Sequence, residues 1–235
     1  TLTLTGAITG DGRLDKIGVG TLVLTGTNGY QGGTEVTAGT LLVGGNSALG
    51  TGAVVLADGT RLGSLNAVGL NNAVTLEGNA SLGSDQDMTL AGVVSGPGNL
   101  SKVGNGTLTL TNANTYGGGT ALNAGTLVVG NDLALGTGGL TTAAGTTLDS
   151  LAGAGAVPIV LANAVTIGGG LTVAGTNDLS LTGNVSGGSL TKAGPATLTL
   201  NGDNSALADN DAGTFAPLAT YARSFQPSTA TSRND

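Results

Sequence analysis

Carboxylates are the side chains best placed to do chemistry here, because the 235-residue chain contains no His, Cys or Trp. That absence excludes Ser-His-Asp and Cys-His nucleophiles, imidazole or thiolate zinc sites, and tryptophan platforms for sugars. Asp85 and Asp87 are two apart, so on a strand both would point the same way, as an acid pair or a cation site requires. Asp203 with Asp209 and Asp211 forms a second group. Asp209-Asn210-Asp211 could offer oxygens to calcium, but it lacks the spaced ligands and terminal Glu of an EF-hand loop. Both groups read more simply as polar turns. Gly117-Gly118-Gly119-Thr120 has no Lys beside it and no helix after it, which argues against a phosphate cradle. No catalytic, cofactor-binding or metal-binding residue is assigned, and no cofactor is expected.

The elements that would carry these residues are short strands. Runs such as Thr21-Leu22-Val23-Leu24, Ala73-Val74-Thr75-Leu76, Thr107-Leu108-Thr109-Leu110 and Thr197-Leu198-Thr199-Leu200 alternate with period two, and β-branched Thr and Val favour a pleated surface. The 45 glycines cannot mostly lie inside strands, where each would cost roughly 0.5 to 1 kcal/mol relative to Ala, so they mark turns. With 39% apolar, 9% charged and 2% aromatic residues, the chain can bury a core built from Leu, Val, Ile and Ala. A net charge of -7 argues against a nucleic-acid partner. No apolar stretch approaches the ~20 residues of a membrane-spanning helix.

The strongest signal is internal repetition. Leu14-Asp15-Lys16-Ile17-Gly18 returns 86 residues later as Leu100-Ser101-Lys102-Val103-Gly104, and 90 residues further on as Leu190-Thr191-Lys192-Ala193-Gly194. Asn28, Tyr30 and Gly33 return as Asn114, Tyr116 and Gly119. The offset grows to 91 after Leu151, placing a five-residue insertion between Leu151 and Asn163. Self-similarity with fixed turn positions favours stacked coils over a sandwich. The expectation is an all-β chain, a parallel β-helix of roughly ten coils over 1–204 (units near 1–88, 89–178 and a truncated 179–204), then an irregular tail over 205–235. At ~4.8 Å per coil this rod would be about 50 Å long. Lys16, Lys102 and Lys192 are expected to lay their stems over strands with the ammonium in water, and Tyr30 and Tyr116 to pack over corners.

Leu14, Lys16, Gly18, Gly20-Thr21-Leu22, Asn28, Tyr30 and Gly32-Gly33-Thr34 together resemble the autotransporter-associated β-strand repeat of Gram-negative type V secretion passengers. The second copy departs at Asn112, and the third loses the pattern after Asn204, with Ala206 where Tyr would fall. The resemblance implies a right-handed solenoid at the cell surface or secreted, linked to a membrane β-barrel outside this sequence, and lends no active-site residues. It leaves three readings open. The first is a non-catalytic scaffold with possible adhesion to a host or matrix surface. The second is a subunit of an extracellular fibre, self-associating through its ends or tail, and the third is a carbohydrate-active β-helix. In the tail, Phe215, Tyr221 and Phe225 are candidates for docking onto an end or flank of a solenoid.

Overall fold

The period-two runs become short parallel strands in a computed structural model, which describes residues 1–151, 157–175, 177–208 and 221–223. Every strand pairing among them is parallel and links segments near 20 residues apart, as in Leu2↔Leu22, Ala80↔Leu100 and Val165↔Val185. A chain that advances one rung per ~20 residues is a β-solenoid. One interior row climbs through Leu2, Leu22, Leu41, Leu62, Leu82, Lys102, Leu122, Thr142, Ile167 and Gly187, giving the ten coils.

Each coil contributes up to three strands, here Arg61–Ser64, Val68–Leu70 and Val74–Leu76. We call the stacks containing these the first, third and second faces. The first and third belong to one 15-stranded sheet, and the second is carried by a five-stranded sheet ending at Val94–Ser95. Four further strands, from Ile159–Leu161 to Tyr221–Arg223, form a separate sheet. Alternation turns Leu and Val inward, where Leu24, Leu41, Leu62, Leu90, Leu127 and Leu148 are buried, each burial stabilising by roughly 1.5–3 kcal/mol.

The longest row spacing is 25 residues, as between Leu140 and Val165, which accommodates the expected insertion. Residues 152–156 within it lie outside the described set. The tail supplies one rung, since Tyr221–Arg223 pairs in parallel with Leu198–Leu200. Phe215 and Phe225 lie outside the described residues.

The copies do not stack directly above one another. Lys16 heads a row on the second face that continues through Val36, Leu56 and Leu76. Lys102 pairs with Leu82 on the first face, and Lys192 with Val173 at the end of the third. Four coils carry the second-face row from Lys16 to Gly96, so an offset of 86 overshoots by six residues and lands on the next face. Each repeat is therefore turned by one face relative to the last.

Candidate functional site

Side-chain alternation places Lys16 on the same side of its strand as Leu14, which is inward. The expectation of a solvated ammonium is overturned: Lys16, Lys102 and Lys192 are 6%, 0% and 2% exposed. An ammonium out of water is costly unless its donors are satisfied. Lys16 Nζ donates to the carbonyls of Ile17 (3.2 Å), Gly18 (2.6 Å) and, one coil on, Ala38 (2.8 Å). Lys102 Nζ repeats this with Val103 (3.2 Å), Gly104 (2.7 Å) and Ala124 (3.0 Å). Three donors meet three acceptors. Lys192 Nζ donates to Ala193 (2.5 Å) and Gly194 (3.1 Å). The Lys-x-Gly turn curls around the ammonium because Gly18, Gly104 and Gly194 adopt φ of +72°, +76° and +76°, which a Cβ would strain. Burial holds the Lys102 pKa down at about 8, partly opposed by Asp85 and Asp87, and depresses Lys192 in the same way, opposed by Asp149 and Asp178.

Twelve residues on from each of the first two lysines an asparagine joins three coils. Asn28 Oδ1 accepts from the Ile8 amide (2.8 Å) and its Nδ2 donates to the Ala48 carbonyl (2.6 Å). Asn114 does the same between Val94 (2.7 Å) and Ala134 (2.7 Å). Tyr30 and Tyr116 are buried, and each hydroxyl lies 2.6 Å from the hydroxyl of Thr34 or Thr120. Burial raises both phenol pKa values. No face of either ring is presented for stacking on a ligand. Gly33 and Gly119 turn the corner at φ of +84° and +96°, and a Cβ there would sit 2.5 Å from the Ala53 oxygen or 2.8 Å from that of Gly139.

Asp85 and Asp87 lie in a turn between strands, which corrects the strand geometry supposed for an acid pair. Each bridges to the next coil, Asp85 accepting from the Asn105 amide (2.9 Å) and Asp87 from the Thr107 amide (2.8 Å). Asp203 accepts from the Ser205 amide (3.0 Å), which lowers its pKa, while Asp209 and Asp211 lie outside the described residues. Among the described residues no group of three or more acidic side chains could hold a metal ion.

Sequence reasoning missed further clamps of the same kind. Asn72 donates to Gly50 (3.3 Å) and Gly52 (2.7 Å), and Asn163, its counterpart 91 residues on, to Gly136 (3.1 Å) and Gly138 (2.6 Å). Asp58, Asp132 and Asp178 each accept a backbone amide from the following coil. A spacing of ~20 residues between aspartate and partner amide is the signal that could have found Asp58 and Asp178, whereas Asp132 reaches 28 residues on to Val160 across the insertion.

These features define a parallel β-solenoid whose repeats are fastened internally by buried polar clamps, with no assembled catalytic centre among the described residues. The chain matches the passenger-associated-transport-repeat family at residues 14–43, 100–129 and 190–206, the stretches that carry the three lysine turns. It is 39% identical over 144 residues to the protein named adhesin BmaC autotransporter of Brucella suis biovar 1 (strain 1330), an alignment covering 54% of this chain and 4% of that protein. No solved structure matches. The chain thus carries three passenger-associated-transport repeats and is similar to an autotransporter adhesin, a likeness that indicates a secreted or cell-surface location in Gram-negative bacteria.

Proposed function

We propose that the chain is a non-catalytic passenger scaffold that holds an adhesive surface away from the bacterium, in a polypeptide anchored by an outer-membrane β-barrel. The observation carrying this reading is the use of the repeat's polar residues. Lys16, Lys102, Asn28, Asn114, Tyr30 and Tyr116 are consumed inside the solenoid, so the motif builds a rod and leaves the outward rows for contact. One such row, Ser81, Ser101, Ala121, Thr141, Thr166 and Ser186, presents small, mostly hydroxylated side chains at rung spacing along the first face. The relative named an adhesin supports the same role.

The test coats beads with the purified chain and counts those retained on matrix-coated surfaces and on host-cell monolayers. Retention that falls in the Ser101→Arg, Thr141→Arg double variant, with its unfolding midpoint unchanged, is the expected result. Beads retained no better than those coated with an unrelated protein would refute the adhesive role.

A further inference from the structure

Carbonyls close off the three lysines, and Arg13 is ion-paired with Asp15 and Glu35. Among the described side chains this leaves Arg61 as the one outward cation without an acidic partner. It opens the strand Arg61–Ser64, where alternation turns Leu62 inward and puts Arg61 and Gly63 on the outside of the first face. Thr21, Thr40, Arg61 and Ser81 pair in one row, so Arg61 is the rung immediately before the hydroxylated row that begins at Ser81.

The arm of Arg61 lies across Gly63, where an added Cβ would sit 3.7 Å from Nε and only 2.9 Å from a methyl of Leu42. Of the five donor hydrogens on the guanidinium the chain uses one, from Nη2 to the Gly83 carbonyl (3.2 Å). Nε is buried with no hydrogen-bond partner, an arrangement that costs stability. The repeat does not require it, since 86 residues on Thr147 and Asp149 stand where Arg61 and Gly63 would fall.

Arg61 lines a groove of about 390 Å³ whose other groups suit a hydroxylated acid. Thr21 and Thr40 bring hydroxyls from the two preceding coils, and Leu42 and Leu65 bring aliphatic surface. From the following coil come Asp85 and Gln86, both exposed. Asp85 Oδ1 takes the Asn105 amide (2.9 Å), which leaves Oδ2 to accept from a ligand hydroxyl. A carboxylate on this wall would repel a ligand that is anionic throughout, yet it suits one that carries a single acid and several hydroxyls.

We propose that this groove binds a carboxylate-bearing sugar, a sialic or uronic acid of a glycan. The terminal nitrogens of Arg61 hold the sugar carboxylate as a planar fork, Thr21, Thr40, Asp85 and Gln86 meet its hydroxyls, and Leu42 and Leu65 take the C–H face of its ring. The site rests on the adhesive role and gives it a ligand class.

The test follows the Arg61 Nε–H resonance of the folded full chain by NMR during titration with sialyllactose, with a disaccharide ending in glucuronic acid, and with lactose as the neutral control. The expected result is a saturating shift at millimolar Kd with one or both acidic sugars and none with lactose. Saturation by sialyllactose alone assigns the groove to glycan termini, and by the glucuronide alone to uronic-acid polysaccharide. In Arg61→Gln, followed by saturation transfer to the sugar, binding will weaken at least about tenfold while the unfolding midpoint holds or rises. No shift with either acidic sugar would overturn the proposal, as would undiminished binding by folded Arg61→Gln. An equal shift with N-acetylglutamate would overturn the sugar class and assign the groove to an acidic peptide. Sugar binding without bead retention would refute the adhesive role and keep the site, whereas retention without sugar binding would keep the role and remove the site.

Discussion

Tyr116 stands in the same stack as Lys16, one hundred residues before it. The second-face row runs from Lys16 through Val36, Leu56 and Leu76, and Gly96 above Leu76 has its carbonyl bonded by the Gly117 amide beside Tyr116. Equivalent motif residues thus occupy different faces, while different parts of the motif share one. A partner that gripped equivalent turns would have to follow a spiral around the rod.

This arrangement is tested by cross-linking. Ser101 pairs directly with Ser81 on the first face, whereas its sequence counterpart Asp15 pairs with Glu35 on the second. Ser81→Cys with Ser101→Cys will form a disulfide under mild oxidation, and Asp15→Cys with Ser101→Cys will not, as read by mobility on non-reducing gels.

Replacing a clamping lysine removes a cation and leaves its carbonyls without a donor. Lys102→Met will cost about 2–4 kcal/mol in urea unfolding at pH 7, with little change in the slope. Lys102→Arg will not restore it, because the fork of a guanidinium does not fit a socket shaped for one ammonium.

The fold was largely legible because alternation and turn glycines act locally, and Lys16, Lys102 and Lys192 kept their spacing to nearby strands. Burial of those lysines was hidden by the usual preference of ammonium for water, although Leu14-Asp15-Lys16 alternation already set Lys16 on the side of Leu14. The turning of the repeat was implicit in 86, which is not a multiple of a ~20-residue coil. The turn that holds Asp85 and Asp87 was legible, but their partners were not, because Asn105 and Thr107 lie a full coil away in sequence.

Asn114 uses both ends of its amide, so the two substitutions that damage it do so differently. Asn114→Ala will cost about 2–3 kcal/mol by leaving the Val94 amide and the Ala134 carbonyl unpaired. Asn114→Asp keeps an acceptor for Val94 but turns a carboxylate onto the Ala134 carbonyl. It will be at least as damaging at pH 7 and partly relieved near pH 4, where the acid can donate, as chemical denaturation at the two pH values will show.

Stability will rise with pH between about 8 and 10. Lys102 has its folded pKa lowered from 10.5 to about 8, so in that window the unfolded chain binds the extra proton. The contribution is lost as pH falls through 8, and the lowered pKa of Lys192 acts in the same direction. Above pH 10 the raised phenol pKa values of Tyr30 and Tyr116 reverse the trend, because the unfolded state then loses protons that the folded state retains. Urea midpoints taken at half-unit steps from pH 7 to 11 will show a maximum near 10, with a shallower rise below it in Lys102→Met.

The most direct test of the central claim, that the repeat lysines are interior clamps, is an NMR titration of the Lys102 side-chain nitrogen in the folded chain. An ammonium held in the interior will give a midpoint near pH 8, with protons that exchange slowly enough to be seen at neutral pH. A midpoint at the ordinary 10.5, with rapid exchange, would place the ammonium in water and contradict it.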